Sequence, residues 1–521
     1  MLLILSLVLK HNLTGTSIAD IITVINLHCP NQDLKKNSLY KFKKYFSWST
    51  EKFTKHYYCS VCTTSLITKK SICKTCQTNT RISYFIEMPF LKELELMFQR
   101  KNFRELLLYR FQREGGLRFS SFRDIYDGSL YQQYVHNGFL SNPNNISFTW
   151  YTDGIPIFKS SHISIWPVYL TINELPYKHR IKKENIVLVG LWFGSNKPSA
   201  NHFMYKFRSQ FRTLLQGLVI TLSRQNIITV RGIVLAGTCD LPAKAQFLNM
   251  MQYNGEFGCN HCKDKGESFT HPITWGTSRV YSYNKYPIMR TSVETIENGN
   301  QALQDKKSVN GVKGPCALSK LMSDFINGTA IDYMHCIFSG VVKKLLYFWL
   351  DSNFSNEPFS LRAISSVVDS RLTCIKPPKF VHRMPRTVLD LCHWKASELK
   401  MWFFYYSVPI LEKIMNPIYF RHYLLLVNGI SLLNSSCITV KNIEDAERLL
   451  HEFVRECPTL YGIQFCSINV HQILHLPDCV KRLGPLWIYS CFPYEDINGK
   501  ILKLVHGTTH IESQIASAHI F

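Results

Sequence analysis

Two closely spaced pairs of cysteines near the amino end of the chain have the spacing of a zinc site. Cys59 and Cys62 form one C-x-x-C pair, and Cys73 and Cys76 form a second pair shortly after it. Each pair can present two thiolates from a tight turn, so that four thiolates complete the tetrahedral coordination of Zn²⁺. Protein then fills all four positions, which is typical of a structural site. The alternative is four thiols without a metal.

Two aspartates stand at the ends of segments whose other residues predict strands. Asp153 follows SFTWYT, and Asp240 follows TVRGIVLAGTC. Aspartate is depleted from strands, so each could be a turn residue, and Asp240 before Leu-Pro-Ala could be an N-cap. If the two strands are neighbours, the carboxylates repel each other unless cations lie between them, and Mg²⁺ fits such oxygen ligands. Gly154 is expected to let the chain bend past this crowded site.

A third cysteine pair and a histidine pair are weaker signals. Cys259 and Cys262 need further ligands to hold a metal. The candidates are His271, Asp332, His335 and Cys336. His471 and His475 share a helical face, but Gln472 stands where a zinc peptidase needs glutamate, which excludes that enzyme class. For these histidines we expect a buried or surface pair.

The elements that position these residues follow from hydrophobic periodicity. Three apolar runs, SFTWYTD, SIWPVYLTI and NIVLVGLWFG, are separated by turn residues and predict consecutive antiparallel strands. A helix over 201–222, a strand at TVRGIVLAGTCD and a short helix at LPAKAQFLNMMQ are predicted to follow. The order is strand, strand, strand, helix, strand, helix, which favours an α/β core.

Helical periodicity also predicts the parts outside this core. Residues 1–50 and 84–111 have apolar residues at helical spacing, residues 263–320 resemble a loop, and residues 321–480 are largely helical. The chain contains no Walker A loop, no dinucleotide-binding fingerprint and no hydrolase triad pattern. The two aspartates therefore remain the leading candidates for chemistry.

The composition favours a globular chain with a polyanionic partner. The 521 residues are 46% hydrophobic and 19% charged, which indicates a large buried core. Lys and Arg number 60 against 37 Asp and Glu, a formal charge of +23. This excess favours DNA, RNA or an anionic membrane surface, the alternative being a solvated basic surface. The 17 cysteines, several at metal-like spacing, favour a reducing compartment.

Two observations bear on membranes. No apolar run approaches the roughly 20 residues that span a bilayer, so we expect no membrane partner. The first residues, MLLILSLVLKHN, are apolar but lack a basic region before them and a clear cleavage site after them. We expect an amphipathic or buried helix there rather than a signal peptide.

Several ordered motifs together resemble the CACTA-type (Enhancer/Suppressor-mutator) DNA transposases. The matching stretches begin with TDGIPIFKSSHISIWPVYLTINELPYKHR, NIVLVGLWFG and GTCDLPAKAQFLNMMQYNGEFGCNHC. IDYMHCIFSGVVKKLL and GPLWIYSCFPYEDINGKILKLVHGT continue the match in the same order. The resemblance covers roughly residues 85–510, and the helical and four-cysteine part before it is also similar.

The resemblance implies an RNase H-like fold in which the first and fourth strands are neighbours and carry a DDE triad. Its acids match Asp153, Asp240 and, on a helix after a long insertion, Glu495 in FPYEDINGK. Asp496 is adjacent, and only one of the two can point into the site from a helix.

The resemblance also implies a D-x-x-H element, which matches Asp332 and His335. His335 could position a substrate phosphate, join a metal site with Cys259 and Cys262, or pack in the insertion. The triad would hold Mg²⁺ or Mn²⁺, separate from the Zn²⁺ of the cysteine sites. The DNA partner would be transposon terminal repeats and target, the compartment would be the nucleus, and a homo-oligomer is a further expectation.

The predicted fold class is thus α/β, with an RNase H-like mixed sheet interrupted by a long, mainly helical insertion and preceded by a small zinc module and helices. The predicted segments are a helical amino-terminal segment (1–50), a zinc-ribbon-like four-cysteine module (51–82), a helical connector (83–145), the first part of the core (146–258), a mainly helical insertion with C-x-x-C and D-x-x-H (259–480) and the end of the core with the third acid (481–521).

The leading hypothesis is a metal-dependent transposase that cleaves DNA and transfers strands. Lys206, Arg208 and Arg212 in KFRSQFRTLL are candidates for phosphate contacts, although a solvated helix face explains them equally well. A second hypothesis is a transposase-derived protein, truncated or inactive, that binds DNA or chromatin without cleaving it. A third is a zinc-containing interaction module with no nucleic-acid role, which salt-sensitive DNA binding would exclude.

Overall fold

The protein is mixed α/β, with one mixed sheet at its centre and a large helical region. The computed structural model describes residues 15–28, 53–76, 82–114, 121–157, 163–194, 196–272, 275–379, 383–503 and 511–520, with a few single residues between these ranges.

The strands are short and concentrated before residue 281. In chain order they are β1 (Thr54–Cys59), β2 (Ser65–Leu66), β3 (Ile82–Glu87), β4 (Ile146–Thr152), β5 (Ile155–Pro156), β6 (Ser164–Ile172), β7 (Ile186–Gly194), β8 (Leu218–Ser223), β9 (Asn226–Val230), β10 (Gly232–Thr238), β11 (Glu267–Thr270) and β12 (Thr277–Val280).

The helices flank the sheet and dominate the second half. In chain order they are α1 (Gly15–His28), α2 (Phe90–Phe98), α3 (Phe103–Leu107), α4 (Tyr109–Gln112), α5 (Ser129–His136), α6 (Tyr177–Arg180), α7 (Ala200–Gln216), α8 (Leu241–Phe247), α9 (Ser292–Asp305), α10 (Lys343–Leu350), α11 (Ser365–Thr373), α12 (Ala396–Met401), α13 (Ser407–Leu411), α14 (Pro417–Leu433), α15 (Val440–Tyr461), α16 (Ile468–Gln472), α17 (Leu476–Leu483), α18 (Phe492–Leu502) and α19 (Ile511–Ile520).

Short 3-10 turns and two π-helical segments connect these elements. The π-helical segments are Met334–Val342 and Trp402–Tyr406. The 3-10 turns are Ile125–Asp127, Lys183–Asn185, Ala317–Lys320, Ser352–Phe354, Arg362–Ile364, Val388–His393, Ile463–Phe465, Ile473–His475 and Leu486–Tyr489.

The central sheet has the strand order β10-β4-β6-β7-β3-β1-β2, and β5 pairs with β6. Strand β10 lies parallel to β4, whereas the other pairs in this sheet are antiparallel. The predicted meander of three strands is therefore confirmed in β4, β6 and β7. The prediction that the first and fourth strands are adjacent in the sheet is confirmed by the β4–β10 pair.

Both faces of the sheet are covered. Along β4, Trp150 packs into one core with the aromatic face of α7, while its neighbour Tyr151 packs into the other core with the helical region. This alternation follows from the two-residue repeat of a strand. Every residue of β4 is buried, which explains why its sequence is continuously apolar and aromatic rather than alternating.

Three predicted boundaries are wrong. The helix predicted over 201–222 ends at Gln216, because Gly217 adopts a positive φ of 132° and the β-branched run LVITLS forms β8. The segment 84–111 begins with β3, which pairs with β7, before its helices start. Residues 263–320, predicted as a loop, contain α9, whose amino end is capped by the Thr291 hydroxyl accepting from Glu294 N at 3.2 Å.

The four-cysteine module does not stand apart from the core. Strands β1 and β2 extend the central sheet through β3, so the boundary predicted at residue 82 cuts the first residue of a sheet strand. The mainly helical character of 321–480 is confirmed. Of the predicted amino-terminal helical segment, α1 is observed, and most of its other residues lie outside the described part of the chain.

We predict that Gly237→Ala destabilises the fold because no side chain fits there. Gly237 of β10 is paired with Trp150 of β4, and an added β-carbon would lie 2.0 Å from Trp150 Nε1. Overpacking of this kind costs about 1–3 kcal/mol, which denaturant unfolding would measure. The control is Gly499→Ala on α18, where nothing lies within 4 Å and stability should hold or rise by up to about 1 kcal/mol. Equal stability of the two variants would contradict the packing argument.

Candidate functional site

Asp153 and Asp240 lie at the same edge of the sheet. Tyr151 of β4 is paired in parallel with Thr238 of β10, and each aspartate stands two residues beyond its member of that pair. Parallel strands run in the same direction, so residues just past paired positions remain side by side. Both aspartates are partly buried. The parallel pair thus brings together two acids that are far apart in sequence.

Local hydrogen bonds orient both carboxylates. Asp240 is the N-cap of α8, where its Oδ1 accepts from Ala243 N at 2.8 Å, as the N-cap alternative predicted. Asp153 Oδ1 accepts from Gly154 N at 2.7 Å. Gly154 does not adopt the positive φ of a tight bend. It is needed because a β-carbon there would lie 2.6 Å from the Trp166 ring, so its role is close packing rather than flexibility.

Glu495 reaches the same region from the first turn of α18. Tyr151 OH donates to Glu495 Oε1 at 3.2 Å, and Tyr494 stacks on Tyr151 with ring centroids 4.4 Å apart. Asp496 instead faces outward, where Lys500 Nζ lies 2.6 Å from its Oδ2. Of the two adjacent acids, Glu495 is therefore the one that faces the strands.

The aspartates and Glu495 interact electrostatically. Burial raises the pKa of Asp153 to about 7, and the negative charges of Asp240 and Glu495 add to this effect. A carboxyl group shifted in this way marks a site where negative charges are crowded and poorly solvated. The arrangement can relieve that repulsion by protonation of Asp153 or by binding a cation through hard oxygen ligands.

Asp332 and His335 form a hydrogen-bonded unit beside the acids. Asp332 is buried; its Oδ2 accepts from His335 N at 2.9 Å and from the His335 ring at 2.8 Å, and its Oδ1 accepts from Cys491 N at 2.9 Å. Burial alone would lower the pKa of His335, but this hydrogen bond and the charges of Asp332, Asp240 and Glu495 raise it to about 9. The imidazole is therefore cationic at neutral pH and lies close to the acids.

The four cysteines of the amino-terminal module come together as predicted. The Sγ atoms of Cys59, Cys62, Cys73 and Cys76 all lie within 4.8 Å of one another. Cys62 Sγ is 3.4 Å from Cys73 Sγ, and Cys59 Sγ is 3.9 Å from Cys76 Sγ. With Zn–S bonds of about 2.3 Å, sulfurs at this separation suit a tetrahedral metal. This cluster could hold a metal ion such as zinc.

A second cluster joins Cys259 and Cys262 to His471 and His475. The four side chains are buried, and their ligand atoms lie within 4.8 Å of one another. Cys262 Sγ lies 3.2 Å from His471 Nε2, and Cys259 Sγ lies 3.6 Å from His475 Nε2. Arg290 Nε donates to the carbonyl oxygens of both cysteines, which fixes the turn. Two thiolates and two imidazoles also make a zinc ligand set.

The ligands of this cluster differ from the predicted candidates. His271 lies next to Ser278 Oγ, 3.3 Å from its ring. Asp332 and His335 group with Cys491, and Cys336 Sγ donates to Asn469 O. The histidine pair, expected to be without a ligand role, supplies the missing positions. The i,i+4 spacing of the histidines and the two ligands that the cysteine pair lacks each indicate half of a metal site, but neither indicates that the two halves meet.

We predict that the purified protein carries two zinc ions per chain. Cys62→Ser and His471→Ala should each remove about one ion, because the remaining three ligands of a site bind the metal more weakly. Cys437→Ser, at an exposed cysteine, should leave the content at two. Metal analysis by plasma mass spectrometry measures this, and an unchanged zinc content in His471→Ala would contradict the second site.

Among the described helices, none is both long and apolar enough to cross a bilayer. No curated protein matches the chain. A family model described as "Protein of unknown function (DUF1258)" matches residues 41–303, a range that includes Asp153, Asp240 and both C-x-x-C motifs of the first module. This match extends over half of the chain, and the chain therefore belongs to the DUF1258 family.

Proposed function

We propose that this protein is a DDE-type DNA transposase of CACTA type, with an RNase H-like core that catalyses metal-dependent DNA cleavage and strand transfer at transposon ends. The observation that carries the proposal is the convergence of Asp153, Asp240 and Glu495, expressed in the raised pKa of Asp153. The DNA partner, the nuclear location and any homo-oligomer belong to the same proposal.

The strand order supports the RNase H-like part of the proposal. Strand β4, which precedes Asp153, lies between β6 and β10, and β10 is the parallel neighbour that precedes Asp240. The resemblance implies this arrangement of first and fourth strands. A parallel bridge between Gly237 and Thr329 adds a further backbone contact on the outer side of β10. Helix α18 then returns after the helical insertion to bring the third acid.

The residues fit divalent cations as cofactor. Asp153, Asp240 and Glu495 supply carboxylate oxygens, the ligands that Mg²⁺ and Mn²⁺ prefer, and their mutual repulsion is what bound cations would relieve. Such ions, when bound, supply activation of a water or 3′-hydroxyl and charge stabilisation of the leaving oxygen. The carboxylates themselves form no bond to DNA in this proposal.

His335 has a separate role in the proposed reaction. Asp332 holds its ring by accepting from Nδ1, and the other ring nitrogen, which has no hydrogen-bond partner among the described residues, can donate a hydrogen bond. A cationic imidazole beside the acids can bind a phosphate oxygen and offset the negative charge of the DNA backbone. His335 would therefore orient the scissile phosphate rather than move a proton.

We predict that Asp153→Asn, Asp240→Asn and Glu495→Gln each abolish cleavage. Each change removes a charged ligand, so the loss should exceed the roughly 10–100-fold typical of changes in the outer shell of a metal site. The measurement is cleavage of DNA carrying the terminal repeats of the element, with Mg²⁺ or Mn²⁺. Asp496→Asn is the matched control, since this neighbouring carboxylate faces outward to Lys500, and it should retain activity.

The outcomes separate the rival functions. Cleavage by the wild type and by Asp496→Asn, but by none of the three acid variants, supports the transposase. Salt-sensitive DNA binding without cleavage by any form would replace it with a transposase-derived protein that binds DNA or chromatin. Absence of salt-sensitive binding would favour the zinc-containing interaction module.

Three cations of α7, of which Arg212 is exposed and Lys206 and Arg208 are partly buried, lead to a prediction on DNA affinity. Lys206, Arg208 and Arg212 form no ion pair within the described part of the chain, and their helix buries only its aromatic side. If all three contact phosphates, replacing them with glutamine should reduce the magnitude of the negative slope of log K against log salt by roughly 3, since each contact contributes about 0.9. Fluorescence anisotropy over a salt series measures the slope.

A matched control uses cations that already have acidic partners. Arg448 lies 3.2 Å from Asp445, and Arg455 lies 3.8 Å from Glu456. Replacing these two arginines with glutamine should leave the slope nearly unchanged. If the α7 and control variants reduce the magnitude of the slope equally, α7 is only a solvated helix face.

A further inference from the structure

A large cavity is lined in part by the first turn of α18, the helix that carries Glu495. Its volume is about 680 Å³, within the range of small-ligand sites. Its lining comes from α12, the π-helical segment Trp402–Tyr406, Trp487, the start of α18 and Tyr177 of α6. Aromatic rings from several elements therefore line the cavity.

The cavity shares its walls with the proposed catalytic site. Phe492 lines it, and Phe492 is three residues before Glu495 in the first turn of α18, so the two lie on one side of that helix. Tyr333 also lines it and directly follows Asp332. The part of the wall formed by Phe492 is thus about one helical turn from Glu495, about 5 Å along the axis.

A cation without a carboxylate partner faces this cavity. Lys400 Nζ lies 5.2 Å from the centroid of the Phe492 ring and 5.9 Å from that of Tyr333. Burial lowers the pKa of Lys400. In the part of the chain that the structure describes, Lys400 forms no ion pair, because the nearby Glu398 is held by Arg386 through bonds of 2.7 and 2.8 Å. Lys400 is left to bind an anion.

We propose that this cavity takes one unstacked nucleotide of the DNA strand held at the acids, with its base against the aromatic rings and its phosphate on Lys400. This inference rests on the proposed function. Aromatic faces stack any base, and enzymes that act on DNA can extrude a nucleotide into such a pocket. A wholly apolar occupant would leave Lys400 without an anionic partner, whereas a nucleotide would contact both the aromatic rings and the Lys400 ammonium.

The position of the nucleotide can be tested by photocrosslinking. The probes are nicked DNA duplexes, each with one iododeoxyuridine at a different position around the nick, bound in Ca²⁺ so that cleavage is not needed. We expect crosslinks to Tyr405, Trp487 or Phe492 from one or two adjacent positions, mapped by mass spectrometry. Crosslinks from all positions, or only to residues outside the cavity, would overturn the inference.

Affinity for the same nicked duplex gives the second readout. Tyr405 is 63% exposed and lines the cavity, and Tyr405→Ala should weaken binding roughly 5- to 100-fold, the range of a lost base–aromatic stack. Tyr347, 46% exposed on α10 and away from the cavity, is the matched control, and Tyr347→Ala should change affinity by no more than about twofold. Lys400→Gln should weaken binding while Lys441→Gln on α15 does not.

The two proposals fail in different ways. Crosslinks to the cavity with no cleavage in Mg²⁺ would keep the nucleotide site and remove the enzyme. Cleavage that depends on the three acids, with Tyr405→Ala and Lys400→Gln binding like the wild type, would keep the enzyme and overturn the nucleotide site. In that case the cavity belongs to an apolar ligand or to a protein segment.

Discussion

The parallel pairing of β4 with β10 is the constraint on which the rest of the site depends. It is the parallel pair of a sheet whose other pairings are antiparallel, and a parallel pair requires a long crossover between its strands. The connection runs through β6 and β7 of the same sheet, and helix α7 and the β8–β9 hairpin then carry the chain from β7 back to β10. Since the pair is buried on both faces, its register cannot slip without moving large side chains such as Trp150 from one core to the other. The separation of Asp153 and Asp240 is fixed to the same degree.

The third acid depends on a different kind of interaction. Helix α18 is held to the sheet by a buried aromatic and polar network in which Tyr494 stacks on Tyr151 and donates to or accepts from Thr171 at 2.8 Å. Asn498 donates to Tyr151 OH and accepts from Tyr169 OH, both at 3.2 Å. Stacking sets the distance between helix and sheet, and hydrogen bonds set the rotation of the helix. Together they explain why Glu495 faces inward and Asp496 does not.

The sequence predicted those features that depend on local pattern. The four-cysteine cluster, the meander and the strands that precede Asp153 and Asp240 follow from spacing and periodicity. Periodicity alone predicts too long a helix α7, because LVITLS has both apolar and β-branched character and Gly217 decides whether helix or strand follows. The helical periodicity predicted for 84–111 misses β3, because pairing with β1 and β7, which lie elsewhere in the sequence, makes this segment a strand. Propensity is a weak guide where pairing with a distant segment decides the conformation.

The Cys259–Cys262–His471–His475 cluster could not be assembled from spacing, because its halves are separated by 209 residues along the chain. Each half alone is a common motif with a structural explanation, and nothing local links them. The same reason hides the network around α18, whose partners on β4 lie more than 300 positions earlier. Long-range pairing of polar residues leaves no period in the sequence, whereas a strand or an amphipathic helix does.

A metal in this second cluster would act as a cross-link across the helical insertion. Joining residues this far apart removes much of the conformational freedom of the unfolded chain. Loop-closure arguments for a single cross-link of this length give a stabilisation of the folded state of about 5 kcal/mol. The last ligand of this cross-link lies directly before α17 and α18 in the chain. The cross-link would therefore also limit how far the segment with Glu495 can move from the sheet. A metal site that shares no ligand with the acids would in this way help to keep the third of them within reach of the other two.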